Sequence, residues 1–335
     1  MSAAQPVPGR PSAALPSLLR PSGIGWLVWR RQRTALLVWL AVLVLALVGA
    51  VVFRARMTGS ISAHGLASCS FAGGGPVCGD DGALFGLLEF QAGYGLVLRG
   101  VGLALLTLPA LAGVVLGAPL LSRDLESGTW KLVLAQSVSR ARWAGANLAG
   151  AAAAAVAGSA VLAALYRWLR SPAPDGMSRV GWGGRAFFGT GGPVLPASVL
   201  LGLAVGAAAG VLLRRVLPAM ALTLPLVLLL QYGLESVRPY LVGRESAPMP
   251  RWTLSDSSWI LDAGVVTPGG ARVSLDECRS GADHCAGLLA SGRAYTDFHP
   301  AAHYWPLQGV ESLICLVLAA GLLAFTLRWA TRRLG

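Results

Sequence analysis

The sequence predicts an all-α integral membrane protein with six transmembrane helices, both termini on the cytoplasmic side, and a large outer loop between the fifth and sixth helices. Three observations predict it. Hydrophobic residues are 55% of the 335 and charged residues only 13%, about half the roughly 25% charged residues of soluble chains, and the mean hydropathy is +0.62. Six stretches, 34–53, 100–121, 143–165, 194–213, 216–234 and 307–327, approach the ~20 apolar residues that cross ~30 Å of hydrocarbon. The arginines also divide unevenly about these stretches. With both termini, 122–142 and Arg214–Arg215 placed on one side, that side holds 14 cations against two acids, Asp124 and Glu126, while the other holds 13 of each. The whole formal charge of +12 then lies on one face, and the preference of short basic loops for the inside makes that face cytoplasmic.

Residues 1–22 contain five prolines, Pro6, Pro8, Pro11, Pro16 and Pro21, and read as a disordered cytoplasmic leader ahead of a six-helix domain at 23–335. The first apolar stretch follows 33 residues and is itself 20 long, beyond the ~7–15 residues of a signal-peptide core, so it is read as a retained helix. On the outer side fall loops at 54–99, 166–193 and 235–306. Cys69 and Cys78 lie in the first of these and Cys278 and Cys285 in the last, with Cys315 inside the sixth span. Two even sets in an oxidising space suggest disulfides, most simply Cys69–Cys78 and Cys278–Cys285, with a bridge between the loops as the open alternative.

The spans carry small residues at helical spacing: Gly202, Gly206 and Gly210 in the fourth, Gly113 and Gly117 in the second, and Gly150, Ala154 and Gly158 in the third. Such faces let helices approach closely in lipid, and packing within the subunit is the first expectation for them, a dimer face the second. Polar residues inside spans are functional candidates because they are costly there. The candidates are Glu311, read as a boundary residue of the sixth span, Gln231 near the outer end of the fifth, and Arg99 at the start of the second.

Several chemistries are excluded by what the chain lacks. Its basic residues are 26 arginines and Lys131. Lys131 follows Thr129-Trp130, so the G-x-x-x-x-G-K-[ST] loop that cradles phosphates is missing, and nucleotide hydrolysis must occur on another chain. His64, His284, His299 and His303 all fall in the outer loops. Ser159 in the third span therefore has no imidazole to activate it. His299-x-x-x-His303 has the spacing of a metal pair, but Pro300 opposes the helix that would align it, and no metal is expected. The cations flank helices, which points to anionic lipid headgroups and not to nucleic acid.

Residues 122–142 are the most informative segment. Trp130, Val133 and Leu134 recur at i, i+3 and i+4, enough for one short amphipathic helix. Gly128 breaks the segment before it, and Ser137 and Ser139 are placed to cap the third span. The string Glu126-Ser127-Gly128-Thr129, followed by Ser137-Val138-Ser139-Arg140, resembles the cytoplasmic loop of ABC-2-type permeases, and Trp26-Leu27-Val28-Trp29-Arg30-Arg31-Gln32-Arg33 is similar to that family's helix at the membrane surface. The resemblance implies a transmembrane permease without catalytic residues. It would be paired with a second copy or a homologue and driven by separate ATPase subunits, which bind ATP and Mg. It further implies that Asp124, Glu126, Gly128, Thr129, Trp130, Val133, Leu134 and Arg140 form the loop that couples to the ATPase, with Glu126 and Arg140 pairing with its charges. The outer loop 235–306 is longer than is usual for the family. Two other classes stay open on the residues alone. One is a membrane enzyme using the carboxylates Asp256, Asp262, Asp276, Glu277, Asp283 and Asp297 of that loop, and the other is a non-transporting sensor or assembly component.

Overall fold

The computed structural model describes residues 24–333 except 70, 72–75, 129–138, 174–176, 178–180, 249, 251–253, 255–256 and 281–292, and the side chains of 24–36, 39, 140, 278–280 and 333 also fall outside the description. The leader 1–22 and the residues Thr129, Trp130, Val133 and Leu134 therefore lie outside the described residues. Six helices are long and apolar enough to cross a membrane: Leu40–Ala63, Asp81–Ser127, Ala141–Arg170, Val194–Leu213, Val216–Tyr240 and Ala301–Arg332. They are the first to sixth spans below.

The first two spans overrun their expected bounds. The first helix continues past 53 to Ala63. Arg54 lies over the Trp168 ring at 4.4 Å and donates to Ser171 Oγ at 2.8 Å, which holds its charge at the end of the third span. The second span starts at Asp81, where the Asp80 carboxylate accepts from the Ala83 N–H at 2.6 Å and caps the helix. A stretch of 47 residues would be about 70 Å long as one straight helix, more than twice the bilayer core. It is broken instead. π-helical turns occupy Gln91–Gly95 and Ala112–Gly117, and the helix is interrupted between Leu105 and Leu108, just before Pro109, whose ring supplies no N–H.

The fourth span is the axis of the molecule, with 15 of its 20 residues buried. Its glycines face the second span at backbone contact. A Cβ on Gly202 would lie 2.0 Å from the Pro109 carbonyl oxygen, one on Gly206 2.1 Å from that of Gly113, and one on Gly210 2.4 Å from that of Ala118. In return, a Cβ on Gly117 would lie 2.4 Å from the Leu203 oxygen. The small-residue faces of these two spans thus pack on each other within the chain, as expected. The first and fifth spans are peripheral and expose Leu45, Leu217 and Leu229.

The expectation of an all-α fold needs correction in 235–306. There β1 (Glu245–Ala247), β2 (Trp259–Val266), β3 (Arg272–Ser274) and β4 (Arg293–His299) form an antiparallel sheet in the order β1-β4-β2-β3. The strands carry β-formers such as Ile260, Val265, Val266, Tyr295, Thr296 and Phe298. The Thr267–Ala271 turn closes β2 onto β3 through Gly270, which sits at φ 82°, a left-handed conformation that favours glycine. The sheet is seated on the helix ends by aromatic rings. Trp182 packs edge-on against both Trp259 and Tyr304, at 5.7 and 5.9 Å. Cys69 and Cys78 form a disulfide beside Met57, Leu66, Leu87 and Phe90. Cys285 and the side chain of Cys278 lie outside the described residues.

Candidate functional site

The break in the second span shapes a cleft. Within the break, the Leu106 carbonyl accepts from Gln231 Nε2 at 3.0 Å, so the fifth span satisfies a backbone group that the interrupted helix exposes. Between the second, fourth and fifth spans this leaves a recess of about 550 Å³, within the ~300–1,000 Å³ typical of small-molecule sites. Its walls are mainly leucine and valine, among them Leu103, Leu111, Val114, Leu224 and Leu228, with Thr107, Ser198, Gln231 and Tyr232 as polar groups among them.

One end of the cleft is charged. Gln231, Glu235 and Arg238 follow one another at i, i+4 and i+7 and so share a face of the fifth span. Arg238 donates from Nε and Nη2 to the two oxygens of Glu311, at 2.7 and 2.9 Å, with side-chain exposures of only 8% and 3%. Its guanidinium also lies 4.2 Å above the Phe188 ring. Glu311, read from the sequence as a boundary residue, is the buried partner of an arginine 73 positions away. Nearer solvent, Arg185 Nε donates to both oxygens of Glu235 at 2.6 Å. The hydrogen bonds and charge of Glu235 push the Arg185 guanidinium above its ordinary value. Sequence reasoning missed Arg185, Glu235 and Arg238 because a boundary at 234 placed the latter two in a loop. The polar spacing of 231, 235 and 238 was the available signal.

Across the Ala112–Gly117 turn lies a second recess of about 230 Å³, between the second, third and fourth spans. Ser159 lines it, and its hydroxyl donates to the Ala155 carbonyl at 2.7 Å.

Of the residues singled out in 122–142, Asp124 is buried and Gly128 ends the second span at φ 70°, acting as the expected breaker. Ser139 caps the third span, its hydroxyl accepting from the Arg142 N–H at 3.3 Å, and Arg140 is that helix's first residue. Glu126 Oε2 accepts from the Val216 N–H at 2.9 Å. It thereby satisfies a free donor at the start of the fifth span, where the helix dipole favours a negative charge. The second span's end is thus tied to the fifth across the Arg214–Arg215 turn.

The sheet carboxylates have partners within the sheet. Asp262 accepts from Ser274 Oγ at 2.7 Å and from the Tyr295 hydroxyl at 2.9 Å. Burial and that hydrogen bond push the Tyr295 hydroxyl up to about 12. Asp297, almost fully buried, is held by Arg272 at 3.0 Å and Arg244 at 3.7 Å. Its burial raises the carboxyl, but hydrogen bonds from Ser246 and Arg272 and the two arginine charges outweigh it and leave the group below its ordinary range. Asp256 and Asp283 lie outside the described residues. His299 Nε2 donates to the Pro239 carbonyl at 3.1 Å, which leaves its Nδ1 to accept from His303 Nδ1 at 3.0 Å. The pair ties the end of β4 to the fifth and sixth spans. Among the described residues no three His, Cys, Asp or Glu side chains converge as a metal site.

Compared with known proteins, the chain matches a family model described as ABC-2 membrane transporter related over residues 40–238. No curated protein and no solved structure matches it. The matched stretch runs from the first span to Arg238 of the cleft and leaves the sheet and the sixth span beyond it. With more than half its length matched and six helices able to cross a membrane, this chain is a multi-pass membrane protein that belongs to the ABC-2 membrane transporter related family.

Proposed function

We propose that the chain is the transmembrane permease subunit of an ATP-driven ABC-2-type export system in the cell membrane. A separate ATPase subunit binds ATP and Mg, and a second copy or a homologue completes the path. The observation that carries the reading is the family match over 40–238. It is supported by a chain whose one lysine, Lys131, sits in no phosphate loop. In this reading the termini, 122–142 and the Arg214–Arg215 turn are cytoplasmic, and the sheet is outside.

The geometry suggests how such a subunit works. The ATPase docks on 122–142, with Trp130, Val133 and Leu134 as the apolar anchors. A push there reaches the second and fifth spans together, because Glu126 binds the start of the fifth. The second span transmits it to the glycine contacts with the fourth and to the break beside the cleft. The cleft is then the recess for the transported substrate. The alternative of an enzyme in 235–306 loses support, since Asp262 and Asp297 are taken up by Ser274, Tyr295, Arg272 and Arg244.

Two experiments test this. Cysteines placed at Arg215 and Ser236 in an otherwise cysteine-free chain should label from opposite sides, with only the second reached by an impermeant reagent in intact cells. Where an ATPase with a phosphate-binding loop is encoded beside this chain, its capture should fall for Trp130→Ala at matched membrane levels, since removing a large aromatic anchor costs about 2 kcal/mol or more of binding. Equal capture and equal ATPase activity would defeat the permease reading.

A further inference from the structure

We propose that the cleft between the second and fifth spans binds a zwitterionic single-chain amphiphile, with its tail along the leucines and its headgroup between Arg185 and Glu235. This names the class of ligand for the recess assigned above to the substrate. It rests on the permease reading for the ligand's transport and not for its binding.

The walls argue for the tail. Leu103, Leu111, Leu224 and Leu228 line the cleft and remain exposed within the helix bundle. In a membrane such exposed leucines meet acyl chains, so the cleft admits a chain without its crossing water. Lipid tails are as apolar as leucine, so moving a tail from bilayer to cleft gains little. Selection must come from the headgroup.

The charged end argues for that headgroup. It holds two arginines and two glutamates, already paired, and the pairs differ in access. Arg238–Glu311 is buried, whereas Arg185 and Glu235 have side-chain exposures of 56% and 31%. The outer pair joins the short helix Arg185–Phe188 to the fifth span, so a headgroup entering there must separate the two. A singly charged headgroup would satisfy one partner and leave the other without its counter-charge, which disfavours it relative to a headgroup that serves both. A zwitterion exchanges both partners at once. Its anionic group takes the guanidinium fork of Arg185, whose geometry suits phosphate or carboxylate, and its ammonium takes the Glu235 carboxylate. The inner pair stays closed and keeps the floor neutral.

The test uses the purified full-length chain in an excess of an uncharged maltoside detergent, with three trace probes carrying the same photoreactive dodecyl tail. Their heads are phosphocholine, methyl phosphodiester (a phosphate with one negative charge) and trimethylammonium. Mass spectrometry reads labelling of the peptides that contain Leu111 and Leu228. The phosphocholine probe should label them about tenfold more than either singly charged probe, which corresponds to about 1.4 kcal/mol. Glu235→Gln should turn the preference to the phosphate probe and Arg185→Gln to the trimethylammonium probe. The exchanged chain Arg185→Glu/Glu235→Arg restores the pair and should restore the phosphocholine preference. The same ranking of probes in every chain, no restoration in the exchanged chain, or no labelling of those peptides above the maltoside background would overturn the proposal. Selective labelling by a chain that captures no ATPase would sink the permease reading alone. ATPase capture by a chain with no headgroup preference would sink the ligand class alone.

Discussion

Glu311→Ala is the most informative single perturbation of the bundle. It removes both acceptors of Arg238, whose side chain is only 8% exposed, and leaves the guanidinium with the Phe188 ring 4.2 Å away. Stripping one partner from a buried ion pair costs about 3–5 kcal/mol, because the other charge stays desolvated. The cation–π contact survives and contributes roughly 1–2 kcal/mol in such settings, which puts the expected loss near the lower figure, about 3 kcal/mol. At roughly 2 °C per kcal/mol for a chain of this size, the melting temperature of the purified protein should fall by about 6 °C. Replacing both partners by apolar residues, Arg238→Met/Glu311→Leu, removes the buried charge altogether and should return the melting temperature to within about 2 °C of the starting protein. Thermal unfolding followed by tryptophan fluorescence in one detergent compares the three chains. A single variant that melts with the wild type, or a double variant as unstable as the single, would refute the claim that desolvated charge governs this contact.

Three further outcomes follow from other contacts. Gly206→Leu should prevent tight closure of the second span on the fourth, because a Cβ there meets the Gly113 oxygen at 2.1 Å; protease resistance of the membrane-inserted chain should drop, while Gly233→Leu, where a Cβ meets nothing within 4 Å, should leave it unchanged. Glu126→Ala removes the acceptor at Val216 and should cost about 1 kcal/mol of local stability, read as faster hydrogen exchange at Val216–Ala219, whereas Glu126→Gln should retain most of the protection. His299 is buried and its pKa lies below 6.5, chiefly through desolvation, opposed by its bond to Pro239. The unfolded chain therefore binds the proton first: the stability His299 confers is complete above pH ~6.5 and falls as pH drops toward its folded value, by up to ~1.4 kcal/mol per pH unit. His299→Gln should flatten that slope, and an unchanged pH profile would contradict the buried neutral imidazole.

Much of the transmembrane scaffold was legible in the residues themselves, because hydropathy and helical spacing are local properties. The fourth span begins and ends where its apolar run does, at Val194 and Leu213, and Gly113, Gly117, Gly202, Gly206 and Gly210 announced a close helix contact by spacing alone. Gly128 and Ser139 were readable as breaker and cap for the same reason: each acts on backbone within a few positions of itself. What tertiary structure decided is the set of partners far apart in sequence. Arg54 stays within its helix, partnered by Trp168 and Ser171, and Asp297 is no free carboxylate because Arg272 comes across the sheet to meet it. The charged end of the cleft exists only because the bundle brings Glu311 to Arg238 and Glu235 to Arg185. A charge reads as a boundary in sequence, since water is its default partner; only the fold supplies the opposite charge that lets it stay inside.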